Sequence, residues 1–347
     1  MIATKIVKKF KGVAYYKGGN AYEQKRTSLV WQAIKPSRHP NRNFEVTSEE
    51  DILAALAEAR DADLPVSSVC SGNSYVAKGV QDSTMLLDIS RLCDVEIDAT
   101  NRIAHVQPGV RSIEFDYLLR LENLAFPVPH SLTVALGGYL LGGGMGWNAE
   151  SLNNLAYFNI ARGRSNSCLR RETNGQRRST FRPILGCMWR RPHFLRDCYP
   201  LSSQCLPRPV AIRESTYIYT IGAIVSVITW LEKARAAQHS KVEQSLTFIM
   251  AEAAEKGVEA DKQCIVSVLC VADDEQEAKM LIAPITKGAP TEGIPFTDDL
   301  APKTMSQLFA TASASFPYRH AVETFWADDV AGATRRIGHK FLSTPSE

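Results

Sequence analysis

The sequence predicts an α+β fold in two parts, and three observations carry that prediction. In the first part, short strand-like runs alternate with two helical stretches. From Ser215 onward the order strand–helix–strand–strand–helix reads as one antiparallel sheet with helices on one face. Between the two lies a stretch whose composition suits neither.

The elements follow in order. Thr47-Ser48-Glu49-Glu50 has the form of a capping box opening a helix, with Ile52, Leu53, Leu56 and Ala59 on one face. That helix stops at Asp61 to Pro65, and Pro65 to Cys70 reads as a short buried strand. Ser71-Gly72-Asn73-Ser74-Tyr75 follows, small and turn-prone. Thr84 to Ile89 and Arg102 to Gln107 are strands, the second closed by Pro108-Gly109. Ser112 caps a helix carrying Ile113, Tyr117, Leu118 and Leu121, and Ala125 to Val128 returns as a strand. In the second part, Ser215 to Ile221, Gln244 to Met250 and Gln263 to Ala272 are strands. Val225 to Ala237 is helical, and Asp273-Asp274 caps a helix through Ile282. Residues 286 to 304 read as a loop.

Composition bounds the class. The chain has 347 residues, is 45% hydrophobic and carries a net charge of +3, the balance expected of a soluble two-domain protein. Met1 to Gly18 is basic but lacks an apolar core, so no secretory signal is expected. The longest apolar run, Tyr217 to Trp230, is too short to span a bilayer. The cytoplasm is the expected compartment, with no membrane partner. Eight cysteines show no paired C-x-x-C spacing, and no metal site is expected.

The densest signal is Gly137-Gly138-Tyr139-Leu140-Leu141-Gly142-Gly143-Gly144-Met145-Gly146, six glycines in ten residues. Glycine gathers where a side chain would block the backbone, and close approach to a phosphate-bearing ligand through bare N–H groups is the usual reason. A flexible linker would not interleave Leu140, Leu141, Met145 and Trp147. The spacing is neither the G-x-G-x-x-G of a dinucleotide turn nor a P-loop. No lysine occurs between Lys78 and Lys233, so phosphates in this half would meet main-chain amides, helix ends or arginine.

Ala161 to Val210 is the anomalous stretch. It holds eleven arginines against two acids, Glu172 and Asp197, a local excess of +9, and only nine of its fifty residues are Leu, Ile, Val or Phe. Such composition marks disorder; an arginine-rich nucleic-acid arm is a second reading. A shifted reading frame is a third. Codons allowed for Arg182-Pro183-Ile184-Leu185-Gly186-Cys187-Met188-Trp189-Arg190-Arg191, read one base later, can spell Asp-Leu-Phe-Trp-Ala-Val-Cys-Gly-Gly-Gly.

The first 150 residues resemble a known family. Ser71-Gly72-Asn73-Ser74-Tyr75, then Leu87-Asp88-Ile89-Ser90-Arg91-Leu92, Pro108-Gly109-Val110, Phe126-Pro127 and the Gly137–Gly146 cluster form an ordered set similar to the FAD-linked oxidases. These are the vanillyl-alcohol-oxidase type, berberine-bridge-enzyme-like, with a PCMH-type FAD-binding domain. The out-of-frame Asp-Leu-Phe-Trp-Ala resembles that family's next motif, and the unit after residue 215 its substrate domain. The resemblance implies residues 1–35 as an N-terminal segment, 36–214 as a two-subdomain FAD-binding domain and 215–347 as an α+β substrate domain, C-terminally incomplete.

It further implies Ser71, Gly72, Asn73, Ser74 and Tyr75 as a first phosphate loop, and Gly137, Gly138, Gly142, Gly143, Gly144 and Gly146 as the second side of the FAD site. Many relatives bond a histidine of the first loop to the flavin, and some add a cysteine before the glycine cluster. Asn73 and Ser131 stand at those positions here, so any FAD is expected to be non-covalent. His130 would be a flavin neighbour or a structural residue. Tyr318 and His320 are candidate polar residues of the substrate domain, and no base is singled out. The function implied is an FAD-dependent oxidoreductase moving a hydride from a small organic substrate to FAD. Its alternatives are an inactive remnant with an impaired flavin site, or a basic-segment nucleic-acid binder.

Overall fold

The computed structural model describes residues 10–147, 160–163, 201–236, 238–250, 262–293, 296–312 and 329–343. The chain divides into two compact units, Met1–Arg208 with Leu308–Val322 and Pro209–Gln307 with Glu323–Glu347.

The first unit runs β1 (Val13–Tyr16), α1 (Tyr22–Ser28), β2 (Arg42–Glu45), α2 (Glu49–Asp61), β3 (Val66–Val69), β4 (Met85–Asp88), β5 (Val95–Asp98), β6 (Ile103–Val106), α3 (Ser112–Leu121), β7 (Leu124–Ala125), α4 (Leu136–Leu141), β8 (Ile160–Gly163), β9 (Leu201–Gln204) and β10 (Leu206–Pro207). It holds a mixed sheet in the order β1-β2-β4-β3 and a sheet in the order β5-β6-β9-β8, plus the pair β7–β10. In the mixed sheet β4 lies parallel to both β2 and β3, and all four of its residues are buried. A strand covered on both faces reads as a continuous apolar run, and Met85-Leu86-Leu87 supplies it. One core gathers on Phe44, Ile52, Ala55, Met85 and Leu87, and a second on Leu29, Val30, Val80 and Leu86.

The helix α2 begins as its capping residues predict, with the Ser48 hydroxyl accepting the Asp51 amide at 3.2 Å. Ile52 and Ala59 face the core, but Leu53 is 40% exposed and does not share that face. In α3 the face differs more. Ile113, Tyr117 and Leu121 lie on an i, i+4, i+8 stripe that points outward, Leu121 being 61% exposed. The competing stripe of Ser112, Phe115 and Leu119 is fully buried, with Phe115 edge-on to Phe126 at 5.5 Å. Both stripes satisfy the helical period; the wholly apolar Phe115 went inside, and Tyr117 kept its hydroxyl at the surface. Ser112 is the first helical residue rather than the cap, and Glu114 accepts the Arg111 amide at 3.0 Å. The expected strand over Ala125 to Val128 is shorter and earlier, only Leu124–Ala125.

The end of the arginine-rich stretch is folded. β9 and β10 lie inside it, β9 pairing antiparallel with both β6 and β8. Leu201, Ser202 and Ser203 are buried there, so the disorder expected across 161–210 does not extend over these residues. Residues 164–200, where the frame argument falls, lie outside the described residues.

The second unit contains β11 (Ala211–Thr220), α5 (Ile224–Arg235), β12 (Val242–Met250), β13 (Lys262–Ala272), α6 (Glu275–Thr286) and β14 (Phe296–Pro302). Met305–Ala312 (α7) and Val330–Ser343 (α8) follow. The sheet order is β12-β13-β11-β14, antiparallel throughout. Alternate residues Cys264, Val266, Val268 and Cys270 of β13 are fully buried in a core shared with Tyr219, Val227 and Ile282. Asp274, not the Asp273-Asp274 pair, caps α6, its carboxylate accepting the Glu277 amide at 2.8 Å. That helix runs past Ile282 to Thr286 even though it contains Pro284.

The stretch expected as a loop contains the edge strand β14. Its Phe296-Thr297-Asp298-Asp299 run lacks alternation because it is exposed. Ser215 holds it in place, the hydroxyl donating to Asp299 at 2.5 Å and accepting the Leu300 amide at 3.1 Å.

Candidate functional site

The two loops singled out in the sequence lie side by side. Ser71 ends the turn after β3, and its hydroxyl accepts the Ala135 amide at 2.9 Å. The Asn73 carboxamide reaches Thr133 Oγ1 at 3.1 Å; with its nitrogen turned inward it also donates to Ser71 Oγ at 2.9 Å and to the Thr133 carbonyl at 3.2 Å. The Gly138 amide faces the Cys70 thiol and acts to lower its pKa, but other influences outweigh it. Burial, and then the Asp88 carboxylate, push the Cys70 thiol up to about 12, so the sulfur stays protonated at neutral pH.

Each loop is also held from behind. The second is strapped to residues 108–112: Ser112 N–H donates to the Val134 carbonyl at 3.0 Å, Leu136 to Val110 at 2.8 Å and Gly137 to Pro108 at 2.9 Å. The Ser112 hydroxyl donates to the carbonyl of Ser131. In the first loop Gly72 has φ +72°, and a Cβ there would stand 2.4 Å from the Leu29 carbonyl, so two separate constraints require glycine. Ser74 accepts amides from Ala77 at 2.9 Å and Lys78 at 3.3 Å, and Tyr75 leaves 42% of its surface exposed.

The six glycines divide by what surrounds them. A Cβ at Gly137 would meet Pro108 at 2.6 Å. At Gly144 it would strike the Tyr139 ring at 2.1 Å, and at Gly146 the Val128 carbonyl at 2.1 Å. All three are packing glycines: Gly137 lets α4 start against Pro108, and Gly144 and Gly146 let the turn after α4 fold onto Tyr139. At Gly142 the nearest atom is the Gly138 carbonyl at 2.8 Å. Gly138 and Gly143 face open space, with no heavy atom within 4 Å.

Most of their amides are taken. Gly142 donates to Gly138, Gly143 to Leu140 and Gly144 to Tyr139, closing the end of α4. Among the described residues, the N–H groups of Gly72, Asn73, Ser74 and Val76 have no chain acceptor, and at the far end of the glycine cluster neither do those of Met145 and Gly146.

Near the second loop, His130 is exposed by surface area, yet Trp147 stands edge-on across its ring at 4.4 Å. Desolvation lowers its pKa, which favours the neutral imidazole. The Trp147 indole N–H is buried and has no acceptor among the described residues. Ser131 lies within 3.5 Å of Thr133 through their hydroxyls. Tyr318 and His320 lie outside the described residues. Among the described residues no cluster of three or more metal-ligating side chains occurs, and no helix is long and apolar enough to cross a membrane.

Residues 40–163 match the family described as the FAD binding domain. That segment contains both loops of the Ser71–Ala135 seam. The chain is 30% identical over 124 residues to the FAD-linked oxidoreductase janO of Penicillium janthinellum, covering 36% of this chain and 28% of that protein. It is 24% identical over 237 residues to penO of Penicillium crustosum, covering 67% and 51%. It is 33% identical over 104 residues to the glucooligosaccharide oxidase of Sarocladium strictum, covering 29% and 20%. The chain thus spans about half or less of these relatives.

The fold is similar to the xylooligosaccharide oxidase of Myceliophthora thermophila, with a TM-score of 0.69 at 16% identity over 99% of this chain and 72% of that one. It is also similar to 6-hydroxy-D-nicotine oxidase from Arthrobacter nicotinovorans, with a TM-score of 0.66 at 17% identity over 87% and 64%.

Proposed function

We propose that this protein is an FAD-dependent oxidoreductase that takes a hydride from a small organic substrate and holds FAD without a covalent bond. The observation that carries the reading is the seam between the two loops, Ser71 to Ala135 and Asn73 to Thr133, inside the segment that matches an FAD-binding domain. The residues fit an anionic dinucleotide. Three amides of the first loop have no chain acceptor, Gly138 and Gly143 leave their Cα atoms bare, and the buried Trp147 N–H lacks an acceptor.

In this reading Gly72, Asn73 and Ser74 hold the diphosphate through main-chain N–H groups, and Gly138 and Gly143 let the ligand approach the chain closely. Gly137, Gly142, Gly144 and Gly146 act one step back by shaping the turn. When bound, FAD supplies the acceptor for the electron pair of the broken C–H bond. Asn73 and Ser131 orient by hydrogen bonds and form no bond to carbon, which is why the cofactor would be dissociable. Residues 36–214 would form the FAD domain and 215–347 the substrate domain; the compact units change over nearby, between Arg208 and Pro209, although Leu308–Val322 groups with the first. Oligosaccharide oxidases among the relatives make a carbohydrate alcohol the first substrate class to try. Free thiols at Cys70, Cys93, Cys205, Cys264 and Cys270 are in keeping with a reducing compartment such as the cytoplasm.

The test is titration of FAD onto the folded chain, followed by acid precipitation. Saturable uptake with all yellow colour released to the supernatant supports the reading. Absence of uptake by folded protein overturns it, and colour retained in the pellet overturns the non-covalent part.

A further inference from the structure

The segment before β2 lies across the first loop and bonds to its carbonyls. Trp31 N–H donates to the Gly72 carbonyl at 3.1 Å, and Gln32 Nε2 donates to the Tyr75 carbonyl. The Arg38 guanidinium donates to the Val76 carbonyl at 2.6 Å and the Ala77 carbonyl at 3.1 Å. The Trp31 ring adds an edge-on contact to Tyr75 at 5.7 Å. Four carbonyls of one short loop therefore turn toward the same neighbouring segment.

Peptide planarity gives this a consequence. In a trans peptide the carbonyl and the following N–H point in opposite directions. Fixing the Gly72 carbonyl toward Trp31 turns the Asn73 N–H away from it, and fixing the Tyr75 carbonyl toward Gln32 turns the Val76 N–H away. Neither amide has an acceptor in the chain among the described residues. Gln32 is itself buried, and its second amide atom, Oε1, has no hydrogen-bond partner. A buried side chain that spends its one satisfied bond on a loop carbonyl is placed to set that carbonyl's direction.

We propose that Gln32, with Trp31 and Arg38, is a positioning residue for the cofactor site, aiming the Asn73 and Val76 amides at the diphosphate. This rests on the FAD reading above. Gln32 acts through the loop backbone and touches no reacting atom. Gln32→Ala should weaken binding of FAD and of ADP about equally, roughly tenfold, because the two ligands share the diphosphate. Melting of the ligand-free chain should change little, and amide hydrogen exchange at Gly72–Ala77 should quicken. Gln32→Glu keeps the volume but removes the donor, so it should reproduce the loss if the alanine variant fails to fold.

Affinity unchanged in folded variants while the wild type binds would overturn this inference alone. A fall in melting temperature with unchanged affinity would reduce Gln32 to a structural role and also overturn it. A folded wild type that takes up neither nucleotide sinks the FAD reading, and this inference with it.

Discussion

The Ser71 hydroxyl and the Ala135 amide, 64 positions apart in the chain, meet at 2.9 Å and stitch together two loops of the segment that matches an FAD-binding domain. Beside that bond Asn73 meets Thr133, so two side chains of the first loop cross one seam. Its consequences can be measured.

Ser71→Ala removes the acceptor of a partly buried amide. A single such hydrogen bond contributes about 1 kcal/mol net. Urea unfolding should register a loss of that size, and FAD affinity in the same variant should fall because the two loops are no longer in fixed register. Equal FAD affinity in the two proteins would show that the seam does not serve the cofactor.

Gly138 and Gly146 make opposite predictions from the same substitution. A methyl at Gly138 meets nothing in the chain and sits in α4, so Gly138→Ala should leave stability equal or raise it by roughly 0.5–1 kcal/mol. FAD binding should weaken, since the methyl occupies the ligand's side. Gly146→Ala drives a Cβ to within 2.1 Å of the Val128 carbonyl and should cost roughly 1–3 kcal/mol through overpacking. Thermal melts paired with FAD titrations separate the two.

Lys25 lies between Glu45 at 2.5 Å and Asp88 at 2.7 Å, and the Asp88 side chain is only 2% exposed. Lys25→Met would leave that carboxylate buried beside a single amide donor, Ser90 N–H at 3.0 Å. Breaking a buried pair from one side costs on the order of 3–5 kcal/mol, so denaturant melts should show one of the larger losses of any surface-distant variant.

Asp51 supplies an acid-sensitive brace. Burial acts to raise its pKa, but the amides of Lys11 and Thr47 and the Thr47 hydroxyl, at 2.7–2.9 Å, together hold it below the ordinary carboxylate value. A carboxylate whose folded pKa is depressed contributes stability above its unfolded pKa of about 4 and loses that contribution as pH falls through the folded value. Unfolding free energy measured between neutral pH and pH 3 should therefore fall less steeply for Asp51→Asn than for the wild type. Parallel slopes would show that the brace is absent.

Legibility in the sequence followed the physics of each signal. Strands with a period-2 or fully apolar run, such as Met85–Asp88 and Lys262–Ala272, were readable because burial leaves a local pattern. The Ser48 cap was readable because capping chemistry is local too. The inward face of α3 was not: Tyr117 and Leu121 obey the same period as Phe115 and Leu119, and only tertiary packing against Phe126 separates them. β14 was missed because Phe296–Pro302 is an exposed edge whose partner, β11, is distant in sequence. At the candidate site, glycine density marked the second loop, but it could not tell that Gly144 and Gly146 make room for Tyr139 while Gly138 and Gly143 stay open. Gln32 carried no motif at all; only its bond to the Tyr75 carbonyl draws notice.

The pairing of β6 with β9 sets an order of assembly. The mixed sheet is complete once synthesis has passed Asp88, whereas the second sheet cannot close until Gln204 emerges to join Ile103. Until then Ile103–Val106 has an open edge toward β9, and such edges recruit other chains. Contacts that distant in sequence also form slowly, since a long loop must close before they are rewarded. A newly made chain is therefore most exposed to aggregation in the interval between those two points, when a chaperone shielding that edge would raise the yield most.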